Sequence, residues 1–303
     1  MTATTMNEIV GSARAAGRGV GAFNVIGIEH AEAIVAGAEA AAAPVVLAIS
    51  ENCVRYHGAL GPLGRACAAL AHAAAVPVAL HLDHATTTEL VTTAAGLGFG
   101  SVMFDASALP YEENVRSTAA VTRWCHERGI WVEAELGEIG GKNGVHSALA
   151  RTDPDEAAGY VRATGVDALA VAVGSSHAMV TRDAVLDLEL IGRLHRAVDV
   201  PLVLHGSSGV PDEGMAAAIR AGMTKINIAT QLNKVFTAAV RDVLMADASL
   251  VDPRKYGRAG RAAVTAEVSR LLAVLGAARG GQGPQAGAGH AGGGTGEPLS
   301  SLE

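Results

Sequence analysis

The stretch "HLDHATT", residues 81–87, sets His81, Asp83 and His84 at the end of the apolar run "VPVAL". An unpaired polar group taken out of water costs several kcal/mol, so three ionisable side chains in four positions at the end of a buried run imply a task. Two chemistries suit these residue types: metal ligation by imidazole, and proton transfer by a carboxylate held beside a cation. The same types recur at the ends of other apolar runs, where "GSSH" (174–177) brings His177 and "HGSSG" (205–209) brings His205. Imidazole suits Zn²⁺, and three protein ligands with one position left open make a catalytic zinc site. Any one of these histidines alone reads better as a core residue satisfied by a hydrogen bond. Three at the ends of different runs favour the metal. His81 shares the side of Asp83 and is assigned no more than orienting it. His72, His126 and His195 fall in Ala/Arg-rich helical stretches and are expected to face solvent, and His290 is isolated in a Gly-rich segment.

These residues need elements that bring them together. Eight short runs read as strands: 21–25, 44–50, 76–84, 100–105, 130–137, 167–174, 200–206 and 224–230. Each looks buried on both faces, as parallel strands are. Ala-rich helical stretches separate them, and Pro44, Pro77 and Pro201 repeat the same device of stopping a helix before an extended run. Asp153, Pro154 and Glu156 predict a helix starting near Pro154. The economical closure of eight βα units is a (β/α)8 barrel, whose chemistry sits at the carboxyl ends of its strands. Those ends carry Asn24, Ser50, Glu51, Asp83, His84, Asp105, Ser107, Glu133 and Glu135. Regular alternation sends Asp83 and His84 to opposite faces, so both reach one site only if the backbone leaves strand geometry right after Asp83. The segments "HGSSGV" and "NIAT" (227–230) follow strands seven and eight, where such barrels bind phosphate through backbone N–H groups at a helix start.

The bulk properties bound the partner. The 303 residues are half apolar but only 3% aromatic, so the core is built from Ala, Val, Leu and Ile. A net charge of −7 without a dense Lys/Arg block argues against nucleic acid or an anionic membrane surface and for a small ligand. Cys53, Cys67 and Cys125 are widely spaced, which fits a reducing compartment, and the N-terminus shows no signal-peptide pattern, so a cytoplasmic protein is expected. "ACAALAHAAAVPVALHL" is broken by His72 and Pro77 and reads as a helix entering a strand rather than a membrane span. The composition predicts a barrel over residues 1–275 and a disordered Gly-rich tail over 276–303.

The motifs "AFN", "HLDH", "SVMFDAS", "VEAELGEIGG", "GSSHA", "PLVLHGSSGVPD" and "KINIAT" resemble, in order from about Glu8 to about Leu275, the class II zinc-dependent fructose-bisphosphate aldolases. The likeness is to the branch with ketose- and tagatose-bisphosphate enzymes. The resemblance implies a lyase of carbohydrate metabolism, acting in glycolysis and gluconeogenesis. It makes His84, His177 and His205 the zinc ligands and Asp83 the acid/base at the C4 oxygen. Asp105 and Glu135 match acidic positions that approach a second or displaced metal. Asn24 and Ser50, Ala178, Gly206, Ser207, Ser208, and Asn227, Ile228, Ala229 and Thr230 fall where the family binds substrate. Arg254 resembles an arginine that reaches the distal phosphate, in some members from a neighbouring subunit. The resemblance also implies a monovalent cation, Na⁺ or K⁺, near the phosphate, and a homo-oligomer, dimer or tetramer.

Three departures from the family, at four positions, stand out. Lys142 and Asn143 stand where an acidic pair on a loop commonly serves proton transfer, Ala178 stands for a glycine, and Ser207 for an alanine. The leading expectation is reversible cleavage of fructose 1,6-bisphosphate to dihydroxyacetone phosphate and glyceraldehyde 3-phosphate. The alternatives are the same reaction on tagatose 1,6-bisphosphate or another ketose 1-phosphate, a non-catalytic sugar-phosphate-binding barrel, and a metal-dependent isomerase or epimerase.

Overall fold

A computed structural model describes residues 4–136, 151–176 and 179–276. The strands β1 (Val20–Asn24), β2 (Val45–Ser50), β3 (Val78–Ala85), β4 (Ser101–Phe104), β5 (Trp131–Leu136), β6 (Ala168–Val171), β7 (Leu202–Leu204) and β8 (Met223–Ile228) pair in chain order, all in parallel. β8 pairs back onto β1, so the sheet closes into the expected barrel. The eight runs read from the sequence are the eight strands, with small shifts at their ends.

The helices are α1 (Met6–Ala15), α2 (Ile28–Ala40), α3 (Glu51–His57), α4 (Gly61–Ala73), α5 (Thr88–Gly96), α6 (Tyr111–His126), α7 (Pro154–Thr164), α8 (Leu188–Ala197), α9 (Asp212–Ala221), α10 (Thr230–Ala246) and α11 (Pro253–Val274). Asp153 caps α7 by accepting from the N–H groups of Asp155 and Glu156, as its sequence predicts. Thr5 and Glu8 form a reciprocal capping box on α1. The buried stripe of α1, Met6, Ile9, Val10 and Ala13, closes the amino end of the barrel against an inner core that includes Ala79, Met103 and Trp131. α11 lies along α2, and the approach is close at Gly37, where a Cβ would meet the Thr265 carbonyl oxygen at 2.7 Å.

Inside the barrel every second strand residue points at the axis. Near the amino end these are apolar, among them Val20, Val46, Ala79, Met103 and Trp131. Toward the carboxyl end they become polar: Ala79, His81, Asp83 on β3, Trp131, Glu133, Glu135 on β5, and Met223, Lys225, Asn227 on β8.

One histidine expectation is corrected. His72 and His126 are exposed, but His195 is half-buried, with its Cβ against Gly222 and its Nδ1 buried without a hydrogen-bond partner. The physical reason is its place beside Leu194 on the core-facing side of α8, where α9 ends at Gly222. The Gly-rich segment with His290 lies outside the described residues. Among the described residues no helix is long and apolar enough to cross a membrane.

Candidate active site

The condition set by strand alternation is met at His84. It adopts φ +53°, a left-handed conformation that L-residues avoid. The register between β3 and β4 shifts between Leu82 and Ala85. Asp83 and His84 therefore sit in a bulge that turns both side chains to the barrel mouth.

Asp83 is buried, and both of its oxygens accept hydrogen bonds. Asn24 Nδ2 donates to Oδ2 at 2.8 Å and Asn227 Nδ2 donates to Oδ1 at 3.1 Å. Burial opposes its ionisation, but His84, His205 and Lys225 around it overrule this and hold the carboxyl well below the usual range. His81 does not bond Asp83. Its Nδ1 lies 2.9 Å from Ser101 Oγ, which itself donates to the Leu80 carbonyl, so the imidazole is the donor. Burial, aided by Lys225, pushes the His81 pKa down to about 3. His81 is thus a neutral prop under the site.

The two described zinc candidates face each other. His84 Nε2 and His205 Nδ1 are 3.1 Å apart, while the far nitrogen of each ring meets a carboxylate: His84 Nδ1 with Asp105 Oδ2 at 2.7 Å, and His205 Nε2 with Glu133 Oε1 at 2.9 Å. Each carboxylate accepts from the ring nitrogen it faces, which turns the other nitrogen of each ring toward its counterpart. Nitrogens sharing one tetrahedral zinc at about 2.0–2.1 Å would lie roughly 3.3 Å apart. One donor atom each from Asp83, His84 and His205 falls within 4.8 Å of the others, and the same holds for His84, Asp105 and Glu135. The donor set fits a zinc ion, and Asp105 and Glu135, the acidic positions singled out by the resemblance, gather around the same His84. Asp105 is fixed in turn by Ser107, whose hydroxyl donates at 2.6 Å. His177, the third expected ligand, lies outside the described residues, as do Ala178, Lys142 and Asn143.

These groups open into a cavity of about 160 Å³ lined by Asn24, Ser50, Asp83, His84, His205 and Asn227, with Gly206, Ser208, Ala229 and Thr230 at its β7–β8 side. Gly206 has φ +66°, and a Cβ there would come within 2.5 Å of the Ser176 carbonyl oxygen, so this turn admits only glycine. Ser207 is buried and its hydroxyl donates to the Asn227 carbonyl, and the Ile228 side chain packs into the outer core, so neither side chain lines the cavity. Ser208 Oγ accepts from the N–H of Gln231 at 3.1 Å, and Ser50 caps α3. Arg254 stands exposed at the start of α11, bonded to Asp252 of its own turn and away from this cavity. A roomier cavity of about 750 Å³, between α5 and α6, is mainly apolar and shares only Asp105 with the site's polar residues.

Three residues were not assigned a role from sequence. Lys225 and Glu133 form a buried ion pair at 2.8 Å beneath the cavity, and Asn52 lines its rim. The signal for the first two was the period-two alternation of polar residues in "WVEAEL" and "MTKINI", which marks an inward polar face. Asn52 had no such signal.

The comparisons agree with this geometry. The chain matches the family described as fructose-bisphosphate aldolase class-II over residues 4–279. It is 39% identical over 272 residues to a fructose-bisphosphate aldolase of Geobacillus stearothermophilus, covering 88% of this chain and 95% of that one. It is 37% identical over 280 residues to one of Staphylococcus aureus (strain Mu50 / ATCC 700699), covering 91% and 98%. Among solved structures, the YdjI aldolase from Escherichia coli K12 superposes with a TM-score of 0.81 at 32% identity, covering 92% of this chain and 98% of that one. On its sequence and its barrel alike, the chain belongs to the class II fructose-bisphosphate aldolase family.

Proposed function

We propose that the protein catalyses reversible aldol cleavage of fructose 1,6-bisphosphate to dihydroxyacetone phosphate and glyceraldehyde 3-phosphate, with zinc held by His84, His177 and His205. The observation that carries this reading is the approach of the His84 and His205 rings to 3.1 Å beside a doubly hydrogen-bonded Asp83 carboxylate. Zinc, when bound, supplies Lewis-acid stabilisation of the negative charge that develops at the ketose carbonyl oxygen.

Asp83 takes the proton of the C4 hydroxyl as the C3–C4 bond breaks, and returns it in synthesis. Its ionisation suits the first step, and the Asn24 and Asn227 amides fix the carboxylate plane. Asp105 and Glu133 orient the ligand rings, and Glu135 beside His84 offers an alternative metal position. The phosphate of the dihydroxyacetone end is assigned to the backbone around Gly206–Ser208 and to the start of α10 at Thr230. Its distal counterpart is assigned to Ser50 and to Arg254 of a neighbouring copy, in a dimer or tetramer. Three free, buried cysteines agree with a cytoplasmic working place.

A coupled cleavage assay tests this, before and after stripping metal with a chelator and restoring Zn²⁺. Activity lost and regained is expected, and exchanging Na⁺ or K⁺ in the buffer reads out the monovalent cation. No activity in any metal state would overturn the substrate assignment. Tagatose 1,6-bisphosphate is the second reading, because C4 stereochemistry depends on few contacts near Asp83 and Asn52 adds one at the rim. The ratio of initial rates on the two bisphosphates decides between them.

A further inference from the structure

Lys225 on β8 is fully buried and takes no part in the steps above. Its ammonium lies 2.8 Å from Glu133 Oε2 and donates to Asn227 Oδ1 at 2.7 Å. A buried charge needs a partner, and Glu133 alone would meet that need. The second bond reaches the site. An ammonium has only donors to offer, so of the two ends of the Asn227 amide it selects the oxygen. The Nδ2 end is thereby turned to Asp83 Oδ1, completing with Asn24 the grip on both carboxylate oxygens. Through Glu133 the same lysine touches the group that orients His205. One side chain therefore underpins both the proton-transfer arm and one metal-ligand arm.

We propose that Lys225 is a positioning residue: its ammonium fixes the Asn227 amide and, through it, the plane of the Asp83 carboxylate. The kinetic consequence rests on the aldolase reading, whereas the contact itself does not.

The test uses two full-length, zinc-loaded variants. Lys225→Met keeps the volume but leaves Glu133 without its cation. Lys225→Met/Glu133→Gln removes that unpaired charge and keeps an acceptor for His205, so it remains informative if the single variant does not fold. Bound zinc, melting temperature, KM and kcat per bound zinc are measured, and Asn227 and Asp83 are located in crystals. The expected result is a fall in kcat per bound zinc of about tenfold or more with KM changed by less than about threefold. Asn227 is expected to have turned or moved off Asp83. An unchanged kcat per bound zinc with a lower melting temperature or zinc content would reduce Lys225 to a structural role. A raised KM at constant kcat would also overturn the proposal, since it would place Lys225 in substrate binding. If the parental protein cleaves no ketose phosphate, the substrate reading fails by itself, and the crystals still decide: Asn227 unmoved on Asp83 in the double variant overturns the positioning role.

Discussion

At His84 a single backbone torsion decides whether there is a site. With φ at +53° the imidazole joins Asp83 on the mouth side, and its Nδ1 reaches Asp105. Two substitutions separate the roles that meet there. Asp83→Asn keeps the size and the hydrogen-bonding reach of the side chain but cannot take a proton. Turnover is expected to fall by about 10²–10⁴-fold, with bound zinc near the parental value by metal analysis. A variant that kept most of its turnover would remove Asp83 from proton transfer. Asp105→Ala leaves the Asp83 geometry in place but strips His84 Nδ1 of its acceptor. Zinc affinity is expected to weaken by about 10–100-fold in chelator competition, and an unchanged affinity would show that the bulge alone holds the ring.

At the scale of elements, the loop after β7 is held from outside the barrel. Arg182 donates to the Val210 carbonyl and to Asp212 at the start of α9, Arg270 of α11 bridges Asp212 and Glu267, and Gln231 of α10 joins Glu267 to Ser208. Burial raises the carboxyl pKa values of Asp212 and Glu267, but the arginines more than reverse it, so both are depressed. A depressed folded value means stability that is present above the ordinary carboxylate pKa of about 4 and lost as pH falls through the depressed range. Arg270→Met is therefore expected to lower unfolding free energy by about 1 kcal/mol at neutral pH, after screening by solvent. The deficit should shrink as the carboxyls protonate. Denaturant titrations at about pH 7 and at about pH 2–3, below the ordinary carboxylate value, check this, and a deficit that grew toward acid would contradict it. The strands themselves were legible because apolar runs of the right length sat between prolines and Ala-rich helices. This outer network was not, because Arg182, Asp212 and Arg270 are distant in sequence and ordinary in type.

At the scale of the whole molecule, α11 packs on α2 and carries Leu271 and Leu272 into the core, while Leu275 accepts the N–H of Gly19 through its carbonyl. Leu272→Ala is expected to cost about 2–5 kcal/mol by its cavity. Removal of residues 277–303, whose composition offers little apolar surface to bury, is expected to leave the melting temperature unchanged. A large drop would give that segment a packing role. Arg254→Ala should raise KM with little change in kcat if a neighbouring copy uses it, and light scattering of the parental protein should then give a dimer or tetramer. The eight strands and the barrel were determined by the sequence alone, which also marked Asp83, His84 and His205 as candidates for the site. Strand length, period and the polarity of strand ends are local properties, and their order along the chain carries the family's signature. What only the tertiary structure decided is how those residues are held: the left-handed turn at His84, the contacts of the histidine rings with Asp105 and Glu133, the half-burial of His195, and the reach of Lys225 to Asn227. These depend on distances between strands far apart in the chain, which closure of the barrel sets and no local pattern encodes.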